Sequence, residues 1–194
     1  FAQYIVTKVD EEARSRTIQK LERELALKTS RLETELQGRE SEIEARQEEE
    51  LARLDEELET SQRALEEQLA ERTDAVMEFA RTWQQKLEAS VGKKLRQDLQ
   101  AEWMEEPLVR KGEEVTATRL AELHEAVQAR LSVIEDEVRQ EQDRIAQLIG
   151  SKKEIVRQQA EEEIEALRQE VNAEVQRLQE EMERDIAELK GISE

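Results

Sequence analysis

The sequence predicts an all-α protein, a long coiled coil with 11-residue (hendecad) repeats in which two helical arms are joined by an elbow. Three observations predict this class. The 194 residues are 41% charged and 3% aromatic, too polar to fill a globular core. They are mostly strong helix formers such as Glu, Leu, Ala, Gln and Arg. The apolar residues recur at helical spacing, which argues against disorder.

Apolar residues of the first arm recur every 11 residues in two series, and only Gln47 interrupts them. The predicted interface positions are Leu21, Leu25, Leu32, Leu36, Ile43, Leu54, Leu58, Leu65, Leu69, Val76 and Leu87. Ala80 and Val91 complete the second series. The pattern fails at Asp10 and at Asp98, so the stripe is bounded at both ends.

The second arm carries a denser stripe with the same period. Its predicted interface positions are Leu123, Val127, Ile134, Val138, Ile145, Ile149, Val156, Leu167, Val171, Leu178, Met182 and Leu189. A third series at Leu131, Ile164, Val175 and Ile186 widens the apolar face. Because 11 residues make three turns of about 3.67 residues, we expect nearly straight helices or a weak right-handed twist. The period continues through Gly150, so one continuous helix is predicted there.

The chain divides into a helical lead-in (1–20), a first arm (21–102), an elbow (103–115) and a second arm (116–191). Pro107 lacks an amide donor, so the first helix is predicted to end or kink near Glu106. A restart is predicted between Gly112 and Thr116, with Glu113 and Glu114 suited to a helix N-terminus. Arms of matched length favour an antiparallel hairpin, and one bent rod is the alternative.

The pattern predicts a non-enzymatic structural scaffold or spacer that self-assembles through its narrow apolar stripe. We expect a homodimer or tetramer with four helices in cross-section, and a parallel dimer fits the same pattern. Leu65, Leu69, Leu167 and Leu178 are the strongest candidates for core positions.

Composition disfavours most other functions. The net charge of −19 opposes binding to nucleic acid or to an anionic leaflet. No apolar run approaches the length that spans a bilayer, so no direct membrane insertion is predicted. His124 is the only histidine, there is no Cys, and the acidic runs lack a calcium-binding loop. We therefore predict no catalytic residues, metal or cofactor. The lack of Cys weakly favours a reducing intracellular compartment, and Phe1 in place of Met indicates a fragment or processed product.

Aromatic residues are concentrated near the elbow, where Phe79, Trp83 and Trp103 accompany Pro107. They could form a hydrophobic plug that stabilises the bend, or a docking site for another protein. The second interpretation predicts an interaction adaptor, in which the initial segment 1–6 would also bind a partner.

The stretch from Arg119 to Glu135, RLAELHEAVQARLSVIE, resembles the end of the coiled-coil region of mitofilin-type proteins, which organise cristae. The resemblance consists of an Arg-Leu pair, spaced leucines and a closing Ile-Glu. It implies an oligomeric spacer of a membrane-organising protein in the mitochondrial intermembrane space.

Overall fold

The computed structural model describes residues 1–191, and these form two helices. Helix α1 is Ala2–Ser90 and helix α2 is Ala117–Lys190, and no strand occurs among the described residues. The all-α class and the helical hairpin are confirmed. The 11-residue coiled-coil geometry itself stays a prediction. The chain divides into two compact units, the first comprising Phe1–Ala52 with Lys153–Glu194 and the second Arg53–Lys152.

In the first unit, the beginning of α1 packs against the end of α2 in antiparallel orientation. Leu21 and Leu25 line a shallow groove together with Leu178 and Met182. Further along α1, Ile43 lies beside Ala160 of α2. Residues later in α1 therefore contact residues earlier in α2, as an antiparallel hairpin requires.

The second unit contains the C-terminal part of α1, the connection and the N-terminal part of α2. Most of the fully buried side chains of the described chain belong to this unit. Its apolar cluster consists of Val76, Trp83, Leu87, Leu95, Leu99, Val109, Val115, Leu123, Val127 and Ile134. Four of these members, Leu95, Leu99, Val109 and Val115, lie in the connection itself. The connection is thus a packed element that covers the ends of both helices.

Helix α1 ends at Ser90 and does not reach residue 102 as predicted. Gly92 stops it, because its φ of 81° is left-handed and suits a residue just past a helix end. The amide of Lys93 donates to the Ser90 carbonyl at 2.9 Å, which closes the last turn. The prediction of a helix end near Glu106 was wrong, since Pro107 lies within a connection that is already non-helical.

Helix α2 begins at Ala117, and no acidic residue lies in its first turn. Glu113 and Glu114 precede the helix, so their predicted role at its N-terminus was wrong. The physical reason is that the backbone here forms hydrogen bonds with another part of the connection: the Glu113 carbonyl accepts a hydrogen bond from the Leu95 amide at 2.9 Å. At Gly150 the prediction is confirmed, because α2 continues through it without a break.

Leu87→Ala tests the burial that holds the second unit together. Leu87 is 0% exposed, so we expect a loss of about 2–5 kcal/mol in the free energy of unfolding from lost transfer energy and the residual cavity. Urea unfolding followed by circular dichroism measures it. Leu27→Ala is the matched control, because Leu27 is 69% exposed and should change stability by less than about 0.5 kcal/mol. Equal effects of the two substitutions would contradict this packing.

Two glycine substitutions should change stability in opposite directions. Gly112 has a φ of 88°, so Gly112→Ala should cost about 1–2 kcal/mol of backbone strain. Gly150 lies inside α2, so Gly150→Ala should add about 0.5–1 kcal/mol. An added Cβ at either position has no neighbouring atom within 4 Å. The difference in stability between the two variants therefore reports backbone conformation. Thermal unfolding of both variants is the measurement, and a shift in the same direction would refute the explanation.

Candidate interaction site

The predicted interface residues lie on the two helices, and none of the 23 positions is exposed. Each is buried or half-buried within the single chain. Residues proposed from sequence as contacts between molecules therefore already have contacts within the molecule. Val91, the last apolar member of the second series, differs: it is 48% exposed because it lies one residue beyond the end of α1.

The stripe is covered to different extents in the two units. In the first unit, Ile43 and Ala160 are the buried apolar residues among residues 1–52 and 153–191. Leu167 and Leu178, expected to be core positions, are half-buried there, and so are Leu65 and Leu69 in the second unit. In the first unit, a stripe residue is covered only by the facing helix. In the second unit, the connection also packs against the stripe. The first unit thus retains partly accessible apolar surface along its stripe.

Ion pairs between the helices border the stripe in the first unit. Arg46 lies 3.0 Å from the Glu163 carboxylate, and Arg168 lies 2.6 Å from that of Glu40. The hydrogen bond to Glu40 raises the pKa of Arg168 above its ordinary value. Exposed ion pairs contribute little stability individually, but opposite charges at matched positions disfavour other registers. These pairs therefore specify how the helices align.

Equivalent pairs occur in the second unit. Arg72 donates a hydrogen bond of 2.7 Å to Glu137, and Lys152 lies 3.8 Å from Glu57. The hydrogen bond from Arg72 lowers the pKa of Glu137, and this outweighs the opposing effect of desolvation. Glu137 therefore stays ionised to a lower pH than an isolated glutamate. The contact between the two helices is retained as a charged pair under ordinary conditions.

The connection, residues 91–116, is held by backbone hydrogen bonds and is here called the turn segment. The Val115 amide donates to the Lys93 carbonyl at 2.9 Å, and the Gly112 amide to the Leu95 carbonyl at 2.8 Å. Farther out, the Leu99 amide donates to the Val109 carbonyl at 2.8 Å. Two chain segments thus lie side by side through isolated β-bridges. Sequence analysis missed this pairing, because Leu95 and Leu99 are four residues apart and do not show the alternation of a strand.

The aromatic residues predicted at the elbow are brought together in the second unit. The rings of Phe79 and Trp103 lie 5.7 Å apart, edge to face, and those of Phe79 and Trp83 lie 6.5 Å apart. Trp83 is buried, with the Lys86 ammonium 4.7 Å from its ring centre. Phe79 and Trp103 are half-buried against the apolar cluster. Pro107 is half-buried.

Arg119, in the first turn of α2, ties the turn segment to that helix. Its guanidinium donates to the Leu108 carbonyl at 3.2 Å and to the Glu122 carboxylate at 2.9 Å. A further contact at 3.4 Å reaches Glu113. One half-buried cation thus joins the outer part of the turn segment, its base and α2. Sequence analysis did not single out this residue, because its partners are distant or carry no distinctive spacing.

His124 is exposed at the edge of a groove of about 340 Å³ in the second unit. Met77, Ala80 and Val127 supply apolar walls, and Gln84 is among the polar ones. Within residues 1–191, no group of three or more His, Cys, Asp or Glu side chains is placed to hold a metal ion. Over the same residues, neither helix is apolar enough to cross a membrane. Phe1 and Tyr4 belong to the first unit and are 100% and 69% exposed.

Comparisons with protein families, curated proteins and solved structures find no match. The similarity of residues 119–135 to mitofilin-type proteins therefore stays a prediction.

Trp103→Ala tests whether the aromatic group stabilises the turn segment. Removing the ring deletes an edge-to-face contact with Phe79, and we expect a loss of about 1–2 kcal/mol in unfolding free energy. Chemical denaturation measures it, and Tyr4→Ala is the control, since Tyr4 is exposed. Unchanged stability together with loss of a binding partner would instead favour the adaptor interpretation.

Proposed function

We propose that this chain is a structural scaffold or spacer, built on an antiparallel helical hairpin that self-associates through the stripe of its first unit. The observation that carries the proposal is the unequal covering of the stripe. Seven of the twelve predicted stripe positions of the second unit are buried within the chain, whereas ten of the eleven in the first unit are half-buried. Partly accessible apolar rows on paired helices are a typical surface for further helix packing.

The third series of α2 indicates which side of the stripe a second copy would cover. Ile164, Val175 and Ile186 are half-buried and flank the main rows in the first unit. A second hairpin on this side would give four helices in cross-section, as expected from the width of the apolar face. Apolar contacts of this kind depend little on salt, so association should persist when charges are screened.

A second candidate function is an interaction adaptor that binds a partner through the turn segment. The specific observation in its favour is the partial exposure of Trp103 and Phe79 beside the apolar cluster. Half-buried aromatic residues are frequent anchors in protein interfaces. The scaffold proposal is preferred because it uses the stripe that extends along both helices.

Sedimentation in about 500 mM salt, where exposed charges are screened, tests the scaffold proposal. The wild-type chain should have at least twice the monomer mass of 22.7 kDa. The variant Ile164→Gln with Val175→Gln should reduce the mass to that of a monomer while helicity is retained, because it makes the flanking row polar.

Leu27→Gln with Ile155→Gln is the control, as these residues are 69% and 53% exposed and lie outside the three series. It should leave the mass unchanged. A monomeric wild-type chain at every concentration would refute self-association.

A further inference from the structure

The contact between α1 and α2 in the first unit contains little fully buried apolar surface. Among residues 1–52 and 153–191, the buried side chains are Ile43 and Ala160, which line the same small groove. The other predicted stripe positions of this unit are half-buried. Because the free energy of burial scales with the apolar area removed from water, each of these side chains stabilises the contact only in part.

The second unit holds its two helices together more firmly. The six largest fully buried side chains of the described residues all belong to it: Leu87, Leu99, Val109, Val115, Ile134 and Ile149. The turn segment adds backbone hydrogen bonds, and Trp103 contacts the ring of Phe79. Separating α1 from α2 therefore costs more free energy in the second unit than in the first.

Electrostatic interactions do not replace the missing burial in the first unit. Arg46 and Glu163 pair across the helices at 3.0 Å, but both side chains are more than half exposed, and such pairs contribute little. Acidic residues outnumber basic ones by 13 to 9 in residues 1–52 and by 13 to 6 in residues 153–194. The two helical segments therefore carry net charge of the same sign, which opposes their contact.

The end of the hairpin opposite the turn segment is where the helices can begin to separate. Residues 1–17 are all exposed, and Ile18 is the first half-buried residue of α1. On α2, half-buried positions continue to Leu189. Helices of this kind depend on packing for their stability, so a segment that loses its partner helix also frays.

Gly150 sets a limit to such an opening along α2. Ile149 is 1% exposed, and the next buried residue along the helix is Ala160. Gly150 lies between them and has a lower helix propensity than any residue except proline. Fraying that starts in the first unit need not pass Gly150, since the helix before it is held by buried side chains.

We propose that the first unit is a clamp that opens, in which α1 and α2 separate over residues 18–52 and 153–190 while the second unit stays folded. In the closed clamp, each helix covers part of the stripe of the other. In the open clamp, both stripes are fully accessible. The opening goes beyond the proposed scaffold function and does not depend on it, but it determines which apolar surface the first unit offers.

Native-state hydrogen exchange of the whole chain, read by mass spectrometry of peptic fragments, tests the clamp. Amides in residues 18–52 and 153–190 should be protected at least about tenfold less than those in residues 76–90 and 117–149. Protection is extrapolated to infinite dilution, because pairing of copies would also cover the first unit. Equal protection in the two units would overturn the proposal, since the chain would then open only as a whole.

Two substitutions that remove the same side-chain atoms distinguish the units. Ile43→Ala should accelerate exchange in the first unit at least about tenfold and leave the second unit unchanged. Ile134→Ala should accelerate exchange in the second unit, where Ile134 is 1% exposed. Leu27→Ala is the control and should alter neither, because Leu27 is 69% exposed. Equal acceleration of both units by Ile43→Ala would contradict separate opening.

A covalent bridge across the clamp tests the separation of the helices directly. The sequence has no Cys, so Ile43→Cys with Ala160→Cys introduces the only two thiols, at residues that line one groove. Joining them with a short bismaleimide should raise protection in the first unit at least about tenfold, because the bridge keeps the helices together. The same variant without the linker is the matched control.

Unchanged protection of the bridged first unit would overturn the clamp, provided that mass spectrometry shows the linker in place. The outcome is independent of the scaffold proposal. A chain that is monomeric at every concentration would refute self-association, yet its first unit should still exchange faster than its second.

Discussion

The burial of one apolar stripe against another within a single chain is the constraint on which this structure depends. Neither helix has a wide apolar face, and each is too polar to be stable by packing on anything but a similar helix. The two stripes meet in antiparallel order in each unit, so the helices supply each other's missing surface. Ion pairs such as Arg46–Glu163 and Arg72–Glu137 then favour one alignment over neighbouring registers.

The turn segment is more than a link between the helices. Its residues Leu95, Leu99 and Val109 enter the apolar cluster of the second unit, and Trp103 packs on Phe79. Backbone pairing satisfies amides and carbonyls that a loose loop would leave to water. Two glycines with positive φ, Gly92 and Gly112, permit the chain to leave α1 and to form the turn that precedes α2. The turn segment is consequently a packed part of the second unit.

These features assign different roles to the two units. In the second unit seven of twelve stripe positions are buried and the turn segment packs on the helix ends, whereas in the first unit ten of eleven are half-buried. In a scaffold, the first unit would supply an apolar surface for lateral pairing. Apolar burial has no long-range charge to screen, so this pairing should persist when the salt concentration changes.

The sequence by itself determined the all-α class and the positions of the stripe. Leu21, Ile43, Leu123 and Ile134 could be placed because helical periodicity depends only on spacing along the chain. It also determined that α2 would continue through Gly150, since the period did not shift there.

Only the tertiary structure decided what covers the stripe, where α1 ends and how the connection is built. Pro107 was the stronger local signal, yet Gly92 ends the helix because the following residues pair with residues 112–115. Such pairing joins positions about twenty residues apart and leaves little local pattern.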